Sequence, residues 1–112
     1  GKVYVSNAEI VNHSTAAVQV SSVTLTAENG WTLVPYASDM SHAKVDSNQI
    51  GFKINSAQTS KTGSTEQFEL TSPWQIAEEE SLTLSYDAVV SALSQPVTNA
   101  NILSVLFVVE WA

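Results

Sequence analysis

The sequence predicts an all-β protein, an antiparallel β-sandwich of about seven to nine strands in the immunoglobulin-like or jelly-roll style. Three observations carry that reading. Apolar residues recur at period two, the mark of strands with one buried and one wet face. No stretch keeps a helical period beyond about two turns. Turn-forming residues recur at short spacing between the apolar runs.

The first strand is "KVYVSNAEIV". Val3 and Val5 share one parity, Ala8 and Ile10 the other, with Ser6-Asn7 between them. A one-residue slip flips every later side chain to the other face, so a bulge is expected there. "AAVQVSSVTLTA" breaks phase in the same way. Val18 and Val20 differ in parity from Val23 and Leu25, which places a second bulge or a sheet switch near Ser21-Ser22. Asn29-Gly30 follows, the preferred pair for a type I′ hairpin turn because both centres need positive φ. Trp31 and Leu33 share parity with Val23 and Leu25, so Trp31 is expected to be half-buried, and Pro35 ends regular pairing or marks an edge.

From Tyr36 to Asn48 the chain is polar and irregular. "QIGFKIN" alternates again, with Ile50, Phe52 and Ile54 against Gly51 and Lys53. "NSAQTSKTGST" reads as a hairpin tip at Gly63, and "EQFELT" as a weaker strand with Phe68 and Leu70 inward. "ESLTLSYDAV" sets Leu82, Leu84, Tyr86 and Ala88 against Ser81, Thr83, Ser85 and Asp87. Asp87 to Leu93 allows one helical turn at most, and "SQPVTNAN" is a loop. In the last strand Leu103, Val105, Phe107, Val109 and Trp111 share one face, while Ile102, Leu106 and Val108 share the other. Apolar residues on both faces predict a central strand, or an outer face that meets something. Val18, Leu25, Trp31, Phe52, Leu84, Tyr86, Phe107 and Trp111 are the expected core. The chain reads as one domain, residues 1–112, cut from a longer surface protein, with Gly1 a remnant of tag removal.

Composition closes off several functions. Hydrophobic residues make up 44% and charged residues 13%, so a core is available and the polar surface is largely Ser, Thr, Asn and Gln. The net charge is −7, with four lysines and no arginine. Nucleic acid needs clustered cations, and anionic membranes attract them, so neither is an expected partner. No segment reads as a membrane span. With no cysteine, disulfides, thiol nucleophiles and zinc fingers are excluded.

The candidate chemistry is sparse. Asp39, His42 and Asp46 form the best metal cluster, yet their spacing matches no calcium loop and a solvated loop is the plainer reading. His13 and His42 lie in polar loops without a Gly-x-Ser-x-Gly elbow. Glu78, Glu79 and Glu80 repel one another and suit a solvated turn better than a carboxylate pair holding a sugar. Asn12-His13-Ser14 fits a glycosylation sequon. Tyr4, Tyr36 and Trp74 are the candidate ligand-binding aromatics. Such rings stack on sugars when exposed and anchor cores when buried. No cofactor and no enzymatic activity is expected.

The stretches "IVNHSTAAVQVSSVTLTAENGWTLV", "IGFKIN" and "WQIAEEESLTLSYDAVVSALSQPVTNANILSVLFVVEW" together resemble the β-sandwich modules of large cell-surface proteins from Gram-positive bacteria of the Firmicutes type. The shared order is an "N-x-S" opening, "V-x-V-x-x-V-x-L", a tryptophan after a glycine turn, "W-x-I", "L-x-L-x-Y-D-A" and a closing "V-F-V-x-E-W"-like strand. More distantly the chain resembles the secreted camelysin and TasA group, some members of which assemble into fibres. No metal motif carries over, so protease activity is not implied. The resemblance implies an exported, non-catalytic module at the cell surface or cell wall: an adhesin, stalk or spacer. Its partners would be neighbouring domains of the same chain, or a glycan, host or cell-wall protein. A carbohydrate-binding module and a fibre or pilus-like subunit assembling by strand complementation are the alternatives.

Overall fold

The computed structural model describes residues 2–36, 47–91 and 102–112, with side chains from Glu9 onward. These residues form eight strands: β1 (Lys2–Val11), β2 (Val18–Ala27), β3 (Thr32–Leu33), β4 (Gln49–Ile54), β5 (Ala57–Gln58), β6 (Thr65–Ile76), β7 (Ser81–Val90) and β8 (Leu103–Trp111). One sheet runs β1-β7-β4-β3, with β5 also paired to β4; the other runs β6-β2-β8. The two pack face to face as a sandwich. All pairings are antiparallel except β3 with β4, which is parallel through Thr32–Gln49 and Leu33–Ile50.

Both phase breaks are bulges. The β1–β7 register slips between Val5 and Ala8. The registers of β2 with both neighbours slip between Val20 and Ser22. On β6 the same interval spans Leu70 to Pro73, because Val20 faces Trp74 while Ser22 faces Glu69. Pro73 thus sits in a bulge on an edge strand, where its missing N–H costs no ladder bond.

The core follows the alternation. Leu25, Leu33, Ile54, Val20 and Val23 are fully buried, with Ile50, Phe52, Leu84, Ala88 and Trp31 beside them. Tyr86, Phe107 and Val18 are half-buried. Trp111 departs from expectation, since it is 68% exposed. Its parity is that of Phe107, but it pairs with Val18 at the last rung of β8, and it is not packed against the core cluster that Phe107 joins.

Three further expectations are corrected. Asn29 (φ 55°) and Gly30 (φ 83°) both adopt positive φ, and Trp31 N–H closes the turn on Glu28 C=O. Yet the turn does not close a hairpin. It carries the chain from β2 into the other sheet, where Thr32 N–H binds Asn48 C=O. The hairpin tip lies at Asn55-Ser56, between β4 and β5, with Asn55 at φ 48°; Gly63 instead bridges Leu33. Asp87 to Val90 is strand, not helix.

Asn12 is 5% exposed, and its side chain ties three segments together. Its Nδ2 donates to the carbonyls of Ala16, Ile76 and Ala77, while Oδ1 accepts from Ser14 N–H and Ser14 Oγ. The amide of the sequon is therefore engaged within the fold. Removing it orphans buried carbonyls, each worth roughly 1–3 kcal/mol. Asn12→Ala is expected to lower stability by about 2–3 kcal/mol, read as a shifted urea midpoint at unchanged slope.

Candidate functional site

Two surfaces carry the chemistry. The first is the outer face of the larger sheet. Lys53 on β4 stands opposite Asp87 on β7 in register, and Tyr4 on β1 pairs with the same Asp87 from the other side. Alternation sends Lys53 and Asp87 outward, because their neighbours Phe52, Ile54 and Ala88 fill the core. Beyond Leu33 the chain turns over this face. Val34 N–H binds Ile50 C=O, Tyr36 N–H binds Thr59 C=O, and the Tyr36 hydroxyl donates to Asp87 Oδ2.

Gly51 makes that crossing possible. A Cβ there would lie 2.8 Å from Tyr36 Cα and 3.0 Å from Pro35 O, both backbone atoms that cannot swing aside. Gly51→Ala is expected to lower stability by about 1–3 kcal/mol through overpacking. It should also free Tyr36 from Asp87, seen as a loss of protection of the Tyr36 amide in hydrogen exchange.

Tyr36, Lys53, Asn55, Ser85, Tyr86 and Asp87 line an open depression of about 290 Å³. Asn55 braces its floor: Oδ1 accepts from Ser85 N–H at 2.8 Å, and the Asn55 N–H donates to Ser85 C=O at 3.0 Å. Burial raises the Tyr86 phenol above its ordinary value, so it is uncharged at neutral pH. Its ring lies 5.7 Å from that of Phe52. The depression offers phenol, carboxylate, ammonium, amide and hydroxyl groups, which can hydrogen-bond a polar ligand. His13 is exposed beyond Val11, which pairs with Ser81, whereas Asp87 pairs with Tyr4. At ~3.4 Å per residue that separates them by about 20 Å, too far for a Ser-His-Asp site.

The candidate aromatics do not form one platform. Tyr36 lies on the larger sheet. Trp74 lies on β6 of the other, half-buried, with its indole N–H donating to Ser56 Oγ at 3.0 Å. That bond clamps β6 to the β4–β5 hairpin. The backbone of Tyr4 lies beside Asp87 as described. Asp39, His42 and Asp46 lie outside the described residues. Glu78, Glu79 and Glu80 are exposed in the turn between β6 and β7, where Glu79 has φ 60°. Among the described residues, no three His, Asp or Glu side chains gather as a metal site.

The second surface is β8. Among the described residues it is an edge strand and not a central one, which leaves the other expectation, an outer face that meets something. Leu106 (64%), Val108 (45%), Val109 (46%) and Trp111 (68%) are exposed along it. Its one charged residue, Glu110, is drawn toward β2 by Gln19 Nε2 at 3.0 Å. Edges are usually blunted by charge, proline or bulges. The opposite edge, β6, has Pro73, a wide bulge, Glu66 and Glu69. β8 has none of these along its length apart from Glu110.

Sequence reasoning missed Lys53, Asn55, Ser85 and Asp87 as a group. The available signal was the polar parity of "IGFKIN" and "ESLTLSYDAV", which meets once the two strands pair. No family model, curated protein or solved structure matches the chain. The likeness to surface-protein modules therefore rests on motif order alone, and the site is read from its own residues.

Proposed function

We propose that the chain is a non-catalytic structural module of an exported bacterial surface protein, a stalk or spacer holding neighbouring domains apart. The observation that supports this most is the path of its first and last strands. β1 runs from the end marked by the Lys2–Val89 pair to the end marked by Val11–Ser81. β2 returns, and β8, antiparallel to β2, runs the same way as β1, finishing at the Val18–Trp111 pair. The described chain thus enters and leaves at opposite ends of a body measuring 50 × 26 × 20 Å.

Tension between those ends lies along the strands. The ladders β1–β7 and β2–β8 are then loaded in shear, so their hydrogen bonds must fail together. Pulling sideways would open them one at a time. The motif resemblance points the same way, as does a surface rich in uncharged polar residues.

Single-molecule force spectroscopy tests the reading. Pulled through its termini, the module should yield at several times the force needed when pulled through Glu79 and the C-terminus, which lie at the same end of the strands, so that β8 peels from β2 one bond at a time. The step should release about 350 Å of chain, at ~3.6 Å per residue less the folded length. Equal rupture forces in the two geometries would remove the stalk reading.

A further inference from the structure

Among the described residues the outer edge of β8 has no strand beside it, and its backbone groups can be assigned residue by residue. Glu28 N–H binds Ile102 C=O, Ala112 N–H binds Ala17 C=O, and Ser21 Oγ donates to Val108 C=O. Even-numbered residues therefore turn their backbone groups toward β2. In a regular strand the N–H and C=O of one residue point the same way and alternate along the chain. Leu103, Val105, Phe107, Val109 and Trp111 thus direct theirs outward. The bulge at this level is on β2, so the alternation of β8 is unbroken.

From this we infer that β8 pairs antiparallel with β8 of a second copy, around a two-fold axis at Phe107. The nine-residue strand has Phe107 as its midpoint, and Phe107 is an outward-bonding residue. Full overlap then gives the hydrogen-bonded pairs Phe107–Phe107, Val105–Val109 and Leu103–Trp111. The intervening pairs are Leu106–Val108 and Ser104–Glu110. Apolar meets apolar at every rung except Ser104–Glu110, where the charged residue meets a serine. The two Glu110 carboxylates lie at opposite ends of the seam, so the module's negative charge is not concentrated there. Trp111, left uncovered by its own core, comes to lie beside the half-buried Leu103 of the other copy.

The contact is isologous, so it closes as a dimer and does not grow into a fibre. The paired sheets become one continuous sheet, and the two long bodies point opposite ways. The inference is separate from the stalk reading, since force response and self-association are independent measurements. Strand pairing alone buries less than the ~1,600 Å² of a standard interface, the size class of weak and transient contacts, so the dimer is sought at protein concentrations up to about 1 mM.

The lack of cysteine allows a direct register test. Leu106→Cys and Val108→Cys proteins, differing in tag mass, are mixed and oxidised mildly. In the inferred register these positions face each other at about 4.5 Å between Cα atoms, within disulfide reach. Each cysteine is diagonal to its own copy at about 7–8 Å, beyond that reach. Mixed dimers should exceed either homodimer several-fold. Sedimentation velocity of the unmodified protein should show a dimer growing with concentration. Val109→Pro should abolish it while keeping the fold, because the lost N–H faces away from β2. Should that variant unfold, Leu106→Lys, at an exposed position and counted twice across the axis, should weaken the dimer about tenfold. A monomer up to about 1 mM overturns the inference. So does random cross-linking, or a dimer unmoved by a folded edge variant.

Discussion

Valine in place of Thr59 is expected to destabilise the protein by about 2–5 kcal/mol, although the two side chains are nearly the same shape. Thr59 is 1% exposed. Its hydroxyl donates to Val34 C=O at 2.7 Å and accepts from Phe52 N–H at 3.0 Å. Its own backbone carbonyl accepts from Tyr36 N–H. One residue thus joins β4 to the segment that crosses it on the way to the depression. Valine would leave a carbonyl and an amide buried without partners. Thr59→Ser keeps both bonds and loses only a methyl, so it should cost about 1 kcal/mol. Serine outperforming valine at a buried site, read from urea midpoints, is the distinguishing result. Valine equal to or better than serine would show that these bonds contribute little.

The second large effect is at Trp31. Alanine there should cost about 3–5 kcal/mol, a substantial part of the 5–15 kcal/mol typical of a folded domain. The ring is 9% exposed and belongs to the core cluster that joins both sheets. Trp31→Phe should be milder and spectroscopically informative. It should remove the bluest, least iodide-quenchable part of the emission. Trp111→Phe should remove the reddest and most quenchable part, leaving stability nearly unchanged. The reverse assignment would contradict the burial of Trp31.

Several elements were legible in the sequence because their causes are local. The alternation of "ESLTLSYDAV" and "QIGFKIN" fixed faces for β7 and β4. The parity breaks at Ser6-Asn7 and Ser21-Ser22 located both bulges, since an extra residue must show as a slip of phase. Asn29-Gly30 was readable as a turn because positive φ is a property of those two residues. Where the turn leads is not local. The hydrogen bonds of Thr32 to Asn48 and of Leu33 to Gly63 decide that, and they join residues far apart in sequence. Trp111 shows a related limit. Parity tells which face a side chain takes but not how far along the strand the covering layer reaches. Composition, likewise, gave β8 two apolar faces without giving its number of neighbours.

The depression was only half visible. Tyr36 was identifiable as an aromatic outside the regular strands, and Asp87 and Lys53 as outward positions on separate strands. Their convergence depends on the antiparallel register of β4 with β7 and on Gly51 admitting the crossing chain. The polar residues that matter most inside were the least legible. Asn12, Thr59 and Glu66 sit in stretches that read as loop or weak strand. Yet Glu66, 7% exposed, accepts from the N–H groups of Ser60 and Lys61 and from the Ser60 hydroxyl. A buried hydrogen bond leaves no period in a sequence.

The position of β2 between β6 and β8 has a consequence for how the chain finds this structure. Val18 must meet Ile76 on one side and Trp111 on the other, and β1 must wait for β7. Nearly every ladder therefore closes a long loop before any bond rewards it, the topology associated with folding in milliseconds to seconds and not microseconds. The turn between β4 and β5 is the place where pairing can begin cheaply, whereas the short turn between β6 and β7 joins strands of different sheets. Until β8 arrives, β2 keeps one unsatisfied side. The most exposed moment in the life of this molecule thus falls late in folding, when most of the sandwich is built and its middle strand is still an edge.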